Sequence, residues 1–120
     1  MVGENNNMNI KEYQEYVKKG ASDKYDKKLA IIGLVGEVGE VADVVKKEAI
    51  YEDMSKFEKK YGMTVEEKII DECGDVSWQL MCLLNQYNIS FEEVINKNVD
   101  KLNKRHGNQK IASDGGGERQ

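Results

Sequence analysis

The sequence predicts an all-α protein, a bundle of four to five helices, and three observations carry the prediction. No proline occurs in its 120 residues, so long helices can run without interruption. Apolar residues recur at three- and four-residue intervals in several segments, and the strict alternation of a half-buried strand is nowhere sustained. Helix-start signals stand before two of these segments, Thr64 with Glu67 and Ser90 with Glu93, the spacing of a capping box.

The first helix is expected over residues 10–19, started by Asn9, stopped by Gly20 and carrying Tyr13, Tyr16 and Val17 as its apolar stripe. A second, over residues 24–48, starts after Ser22 or Asp23. Ile31, Leu34, Val35, Val38, Val41, Ala42 and Val45 recur on one side of it, and that side is assigned to the core. The charged stretch from Ala49 to Met63, closed by Gly62, reads as a connector with room for one helical turn. A third helix follows over residues 65–85, with Ile69, Cys73, Val76, Leu80 and Leu83 as its stripe. The fourth runs over 91–105 with Gly107 as its cap. Residues 1–107 thus form a single helical domain. The tail, 108–120, has three consecutive glycines and little to bury, and is expected to be mobile.

Glu37, Glu40, Glu72 and Asp75 form two pairs of equal spacing, E-x-x-E and E-x-x-D, each inside an apolar helical segment. Residues three apart on a helix are neighbours, so each pair can grip one cation from the same side. Acidic pairs are common on solvated faces, but Glu72 falls on the flank of its helix's apolar stripe. A carboxylate partly buried there needs a cation, and Asp75 one turn along shares the need. Gly33, Gly36 and Gly39 lie within the same helical pattern as Glu37 and Glu40, at about 1 kcal/mol each relative to alanine. Close approach of a helix or ligand, or plain packing, would explain them. Four carboxylates without imidazole or thiolate are hard oxygen donors that suit Mg²⁺, or Mn²⁺, better than zinc or copper. Such an ion keeps positions for water and phosphate oxygens, which points to a phosphate-bearing substrate.

Lys68, Glu72 and Asp75 stand in register on one helix face, which puts Lys68 beside the metal. Asn98, Lys101 and Arg105 make a second such row, equally readable as phosphate donors or as a basic face favoured at a helix C-terminus. Trp78 is either a core aromatic or a platform beside a base, with the core favoured. His106, the one histidine, reads as an exposed end residue. Cys73 and Cys82, nine apart, fall on opposite sides of a helix and read as buried reduced thiols.

Three segments taken in order, GLVGEVGEVADVVKK (Gly33 to Lys47), DECGDVSWQL (Asp71 to Leu80) and NVDKLNKRHG (Asn98 to Gly107), resemble the MazG-like nucleoside triphosphate pyrophosphohydrolases. The likeness covers roughly residues 29–107 and rests on the ordered set E-x-x-E, K-x-x-x-E-x-x-D and N-x-x-K-x-x-x-R. It implies the all-alpha NTP pyrophosphatase fold in its short single-domain form, oligomerising through helix packing as a homodimer or dimer of dimers. It also implies cleavage of a nucleoside triphosphate to monophosphate and pyrophosphate. By residue-for-residue matching, Glu37, Glu40, Glu72 and Asp75 hold magnesium. Lys68, Lys101 and Arg105 contact the triphosphate, Asn98 contacts it or the sugar, and Trp78 with the first helix frames the base. One departure is the end of the chain, HGNQKIASDGGG, where members of the family often carry an aromatic-bearing segment.

In the mechanism this implies, Glu37 or Glu40 accepts the proton of the attacking water, clustered carboxylates being poised for that exchange. Two other enzymatic or binding readings remain: a phosphoribosyl-ATP type of pyrophosphohydrolase, and a non-catalytic helical interaction protein with a nucleotide or metal site. A ferritin-like iron or manganese protein is disfavoured because its Glu-x-x-His pairs have no counterpart in these helices. The net charge of −4 argues against a nucleic-acid surface. No apolar run approaches the ~20 residues that span a bilayer, and the N-terminus lacks a secretory pattern, so a cytoplasmic location is expected.

Overall fold

A computed structural model describes residues 7–107, which form five helices: α1 (Ile10–Gly20), α2 (Lys27–Ile50), α3 (Met54–Tyr61), α4 (Val65–Gln86) and α5 (Phe91–His106). The all-α prediction holds. The predicted tail at 108–120 lies outside the described residues.

Local chemistry sets most of the helix ends. Asn9 and Glu12 close a reciprocal capping box at the start of α1, and Thr64 and Glu67 do the same for α4. Ser90 accepts a hydrogen bond from the Glu93 amide at the start of α5. Gly62, at φ 70°, ends α3 in the left-handed conformation that costs glycine least. Asn88 does the same after α4 at φ 57°, with the Ile89 amide reaching back to the Leu84 carbonyl.

Several expectations need correction. The second helix starts at Lys27 rather than residue 24, because Asp26 caps it by accepting from the Leu29 amide while Ser22 to Tyr25 form a turn. Gly20 is the last residue of α1 rather than its left-handed cap; its missing Cβ admits the Trp78 ring, whose Cη2 would lie 2.9 Å from that atom. The charged connector contains a full two-turn helix, α3, capped by Asp53 and anchored by buried Phe57. His106 is half-buried, with Nε2 enclosed, and Cys73 is exposed while Cys82 is buried.

The principal packing is α2 on α4. The two helices run antiparallel: Gly33 meets Gln79, Glu37 meets Asp75 and Glu72, and Val44 and Lys47 lie across from Lys68. Gly33 is compensated by that packing, since a Cβ there would collide with the Gln79 amide, which Tyr25 also engages by hydrogen bond. Helix α1 closes one end of the pair through fully buried Val17 against Ala30, Met81 and Cys82, while Tyr16 stays exposed. Helix α5 packs on α1, its start held by Gln14, which accepts from the Phe91 amide and donates to the Ile89 carbonyl and the Asn85 side chain.

The apolar side of α2 is wider than α4 can cover. Ala30, Leu34, Val41 and Val44 turn toward α4 with Glu37 among them. Ile31, Val35, Val38 and Val45, assigned to the core from sequence, instead lie 80–160° round from Glu37 at about 100° per residue, and are 44–66% exposed. A helix contacting one neighbour buries only the strip that faces it.

Candidate metal and nucleotide site

Two carboxylates reach the site because they sit in the packed seam rather than beside it. Glu37 lies between Leu34 and Val41 on the face of α2 that meets α4. Glu72, only 9% exposed, lies on the facing surface of α4. Asp75, one turn on and exposed, completes the group, and oxygens of Glu37, Glu72 and Asp75 all lie within 4.8 Å of one another. Ligand oxygens around an octahedral Mg²⁺ are separated by about 2.9 Å when adjacent and about 4.1 Å when opposite, so small rotamer changes bring these three into range.

The electrostatics favour a cation at this point. Burial raises the Glu37 pKa, and Asp75, Glu72 and Glu40 each raise it further by repulsion. Lys68 is the ammonium against the cluster, its Nζ 3.2 Å from Glu72 Oε2; that pairing and Glu40 hold its own pKa up. One lysine does not balance three converging carboxylates. The donors are all oxygen, and the residues fit a hard divalent ion.

Glu40 stands apart from the three. It is about 60° round α2 from Glu37, and it is exposed. It lines an adjoining pocket of about 150 Å³ whose walls include Glu72, Lys68, Lys47 and Tyr61. Tyr61 carried no signal of its own in the sequence, because α3 read as a connector, and Lys47 stood at the end of the segment Gly33 to Lys47 with no role assigned to it.

The remaining expected residues are distributed around this centre. Trp78 stands half-buried at the junction of α1 and α4, edge-on to Tyr16 with ring centroids 6.3 Å apart. Its neighbour Tyr13 is close enough to Asp75 to feel its charge, though burial contributes most to raising the tyrosine pKa. Asn98, Lys101 and Arg105 are exposed on α5 and line clefts formed by α5 and Ile89, in which none of the four carboxylates takes part.

No curated protein and no solved structure matches the chain. The MazG nucleotide pyrophosphohydrolase domain matches residues 25–109, a span that contains α2 to α5 and every carboxylate of the cluster. With most of its length accounted for by that domain, this chain belongs to the MazG nucleotide pyrophosphohydrolase family.

Proposed function

We propose that the protein is a magnesium-dependent pyrophosphohydrolase that converts a nucleoside triphosphate, ribo or deoxy, and water to the monophosphate and pyrophosphate. The observation that carries this reading is the convergence of Glu37, Glu72 and Asp75 from two helices, in a chain of this family, around a point with too little positive charge of its own. Those three residues would hold the ion, with Glu40 on its rim. Bound there, Mg²⁺ supplies Lewis-acid charge at phosphate oxygens and so favours attack at the α-phosphorus.

The protein's own groups have separable tasks. Glu72, buried and paired with Lys68, is fixed in position, which is what a ligand needs to hold an ion in one geometry. Glu37 or Glu40 orients the water and accepts its proton. Lys68 neutralises charge on the phosphates beside Glu72. Tyr13, Tyr16 and Trp78 lie on the α1 side of Asp75 and frame the base.

The active form is a homodimer or a dimer of dimers. Two features of a single chain support this: the exposed stripe Ile31, Val35, Val38 and Val45 on α2, and the separation of the α5 row from the carboxylates. An apolar stripe of this kind is covered by a second copy, and Asn98, Lys101 and Arg105 then reach the triphosphate across the interface. No helix among the described residues is long and apolar enough to cross a membrane, and a substrate of this class places the activity in the cytoplasm.

Incubating the protein with each ribo- and deoxyribonucleoside triphosphate and Mg²⁺, followed by chromatography, tests the reading. Monophosphate and pyrophosphate in equal amounts are expected. Diphosphate and phosphate, or no turnover of any triphosphate, would refute it.

A further inference from the structure

The groove between α2 and α4 changes chemistry in a fixed order along its length. At the α1 end stand Tyr13, Tyr16 and Trp78, and in the middle the carboxylates. At the α3 end stand Lys68, Lys47 and Tyr61. Because the helices are antiparallel, Lys68, four residues before Glu72, and Lys47, seven after Glu40, lie on the same side of the acidic centre. The offsets are about 6 and 10.5 Å along the respective helix axes.

The α3 end is built around one ring. Lys47, Lys60 and Lys68 place their Nζ atoms 5.5, 5.4 and 5.8 Å from the centre of Tyr61. Lys47 is steadied by Asp43 at 2.9 Å. The Tyr61 hydroxyl is enclosed beside Lys47 and Lys60, and its contact with the Lys47 ammonium holds its pKa below the usual value. The pocket's volume of about 150 Å³ is half the lower limit of ~300 Å³ for sites that enclose drug-sized ligands. It has room for phosphate groups and none for a nucleoside.

We propose that this pocket, on the α3 side of the carboxylates, binds the terminal phosphates of the substrate, with Lys47 and the Tyr61 hydroxyl holding the departing pyrophosphate. The inference rests on the pyrophosphohydrolase reading and gives the substrate a direction, base toward α1 and γ-phosphate toward α3. Attack by water forms a new bond from its oxygen to the α-phosphorus, and its proton passes to a carboxylate. The bond from the α-phosphorus to the bridging oxygen breaks, and its electron pair stays on the β-phosphate oxygen as pyrophosphate. That developing charge falls beside Lys68, and Lys47 and Tyr61 meet the phosphate beyond it. A divalent ion held by Glu72 would share that carboxylate's charge and would leave Lys68, now its 3.2 Å partner, as a net cation facing the pocket.

Calorimetric titration of the protein in Mg²⁺ with inorganic pyrophosphate, and separately with the four ribonucleoside monophosphates, tests this. Lys47→Met should weaken pyrophosphate binding by about tenfold or more, and Tyr61→Phe by about threefold, with monophosphate binding unchanged. Lys47→Arg should retain most of the affinity. Unchanged pyrophosphate affinity in Lys47→Met, or equal loss for pyrophosphate and monophosphate, overturns the subsite and leaves the proposed function standing. A wild-type protein that neither binds pyrophosphate with Mg²⁺ nor releases it from any triphosphate overturns both.

Discussion

Glu37→Gln should make the metal-free protein more stable and the magnesium-bound protein less stable than wild type. The Glu37 oxygen lies within 4.8 Å of those of Glu72 and Asp75, and no cation contributes to its shifted pKa. A unit pair at that distance repels by about 0.9 kcal/mol in water and about 3.5 kcal/mol at an effective dielectric constant of 20. Asp75 is exposed, so the lower figure governs, and removing the charge on Glu37 relieves roughly 1 kcal/mol. For a domain of this size that is a rise of about 3–5 °C in Tm in EDTA. A ligand at a hundred times its Kd adds about 2.7 kcal/mol to the wild type. Much of that is lost in the variant, so the order of the two melting curves reverses when Mg²⁺ is added.

The pH dependence follows with a definite sign. A carboxylate whose pKa is raised on folding binds its proton more tightly in the native state than when unfolded. Its contribution to stability therefore falls as pH rises from the ordinary 4.5 through the raised value. In EDTA, the wild type should lose stability relative to Glu37→Gln across that window and not below it. Melting both proteins by circular dichroism from pH 4 to 8, with EDTA and with Mg²⁺, supplies the measurement. A lower Tm for Glu37→Gln in EDTA would show that the carboxylate is held by favourable partners, and would refute the crowded-charge account.

Glu72→Gln should reduce pyrophosphate release by at least about a hundredfold, the ion's Lewis-acid contribution being several kcal/mol, while the far-ultraviolet spectrum stays helical. Glu40→Gln should lose turnover but keep Mg²⁺-induced stabilisation, because Glu40 lies outside the three-carboxylate cluster; loss of both would make it a ligand instead. Val35→Asp with Val38→Asp should shift sedimentation from dimer or tetramer to monomer and abolish activity, and an unchanged sedimentation coefficient would move the interface elsewhere. Mixing inactive Glu72→Gln with inactive Lys101→Ala/Arg105→Ala should restore partial activity if α5 serves the neighbouring copy's site. A mixture that stays inactive would confine each site to one chain.

The carboxylate spacing, the capping residues and the lack of proline are properties of the chain itself, and they were enough for an all-α fold with an acidic centre. Helix periodicity fixes which residues share a face, so Glu37 with Glu40 and Glu72 with Asp75 were legible as pairs. Periodicity does not fix how wide a strip a neighbour covers. Whether Val35 and Val38 are core or surface, and whether Glu40 joins the metal cluster or its rim, therefore depended on how α2 is rolled against α4. Gly20 and Gly33 show the same limit: each reads as a helix stop or an unexplained cost until the Trp78 ring or the Gln79 amide is seen against it.

The sequence by itself determined the helices, their caps and the hard-oxygen donor set, because each depends on contacts within a few residues of chain. Only the tertiary structure decided that Glu37, Glu72 and Asp75 converge while the α5 row lies elsewhere, and that α3 brings Tyr61 to Lys47 and Lys68. Such placements come from long-range packing, in which burial of apolar surface sets the roll and offset of whole helices and polar side chains are carried along.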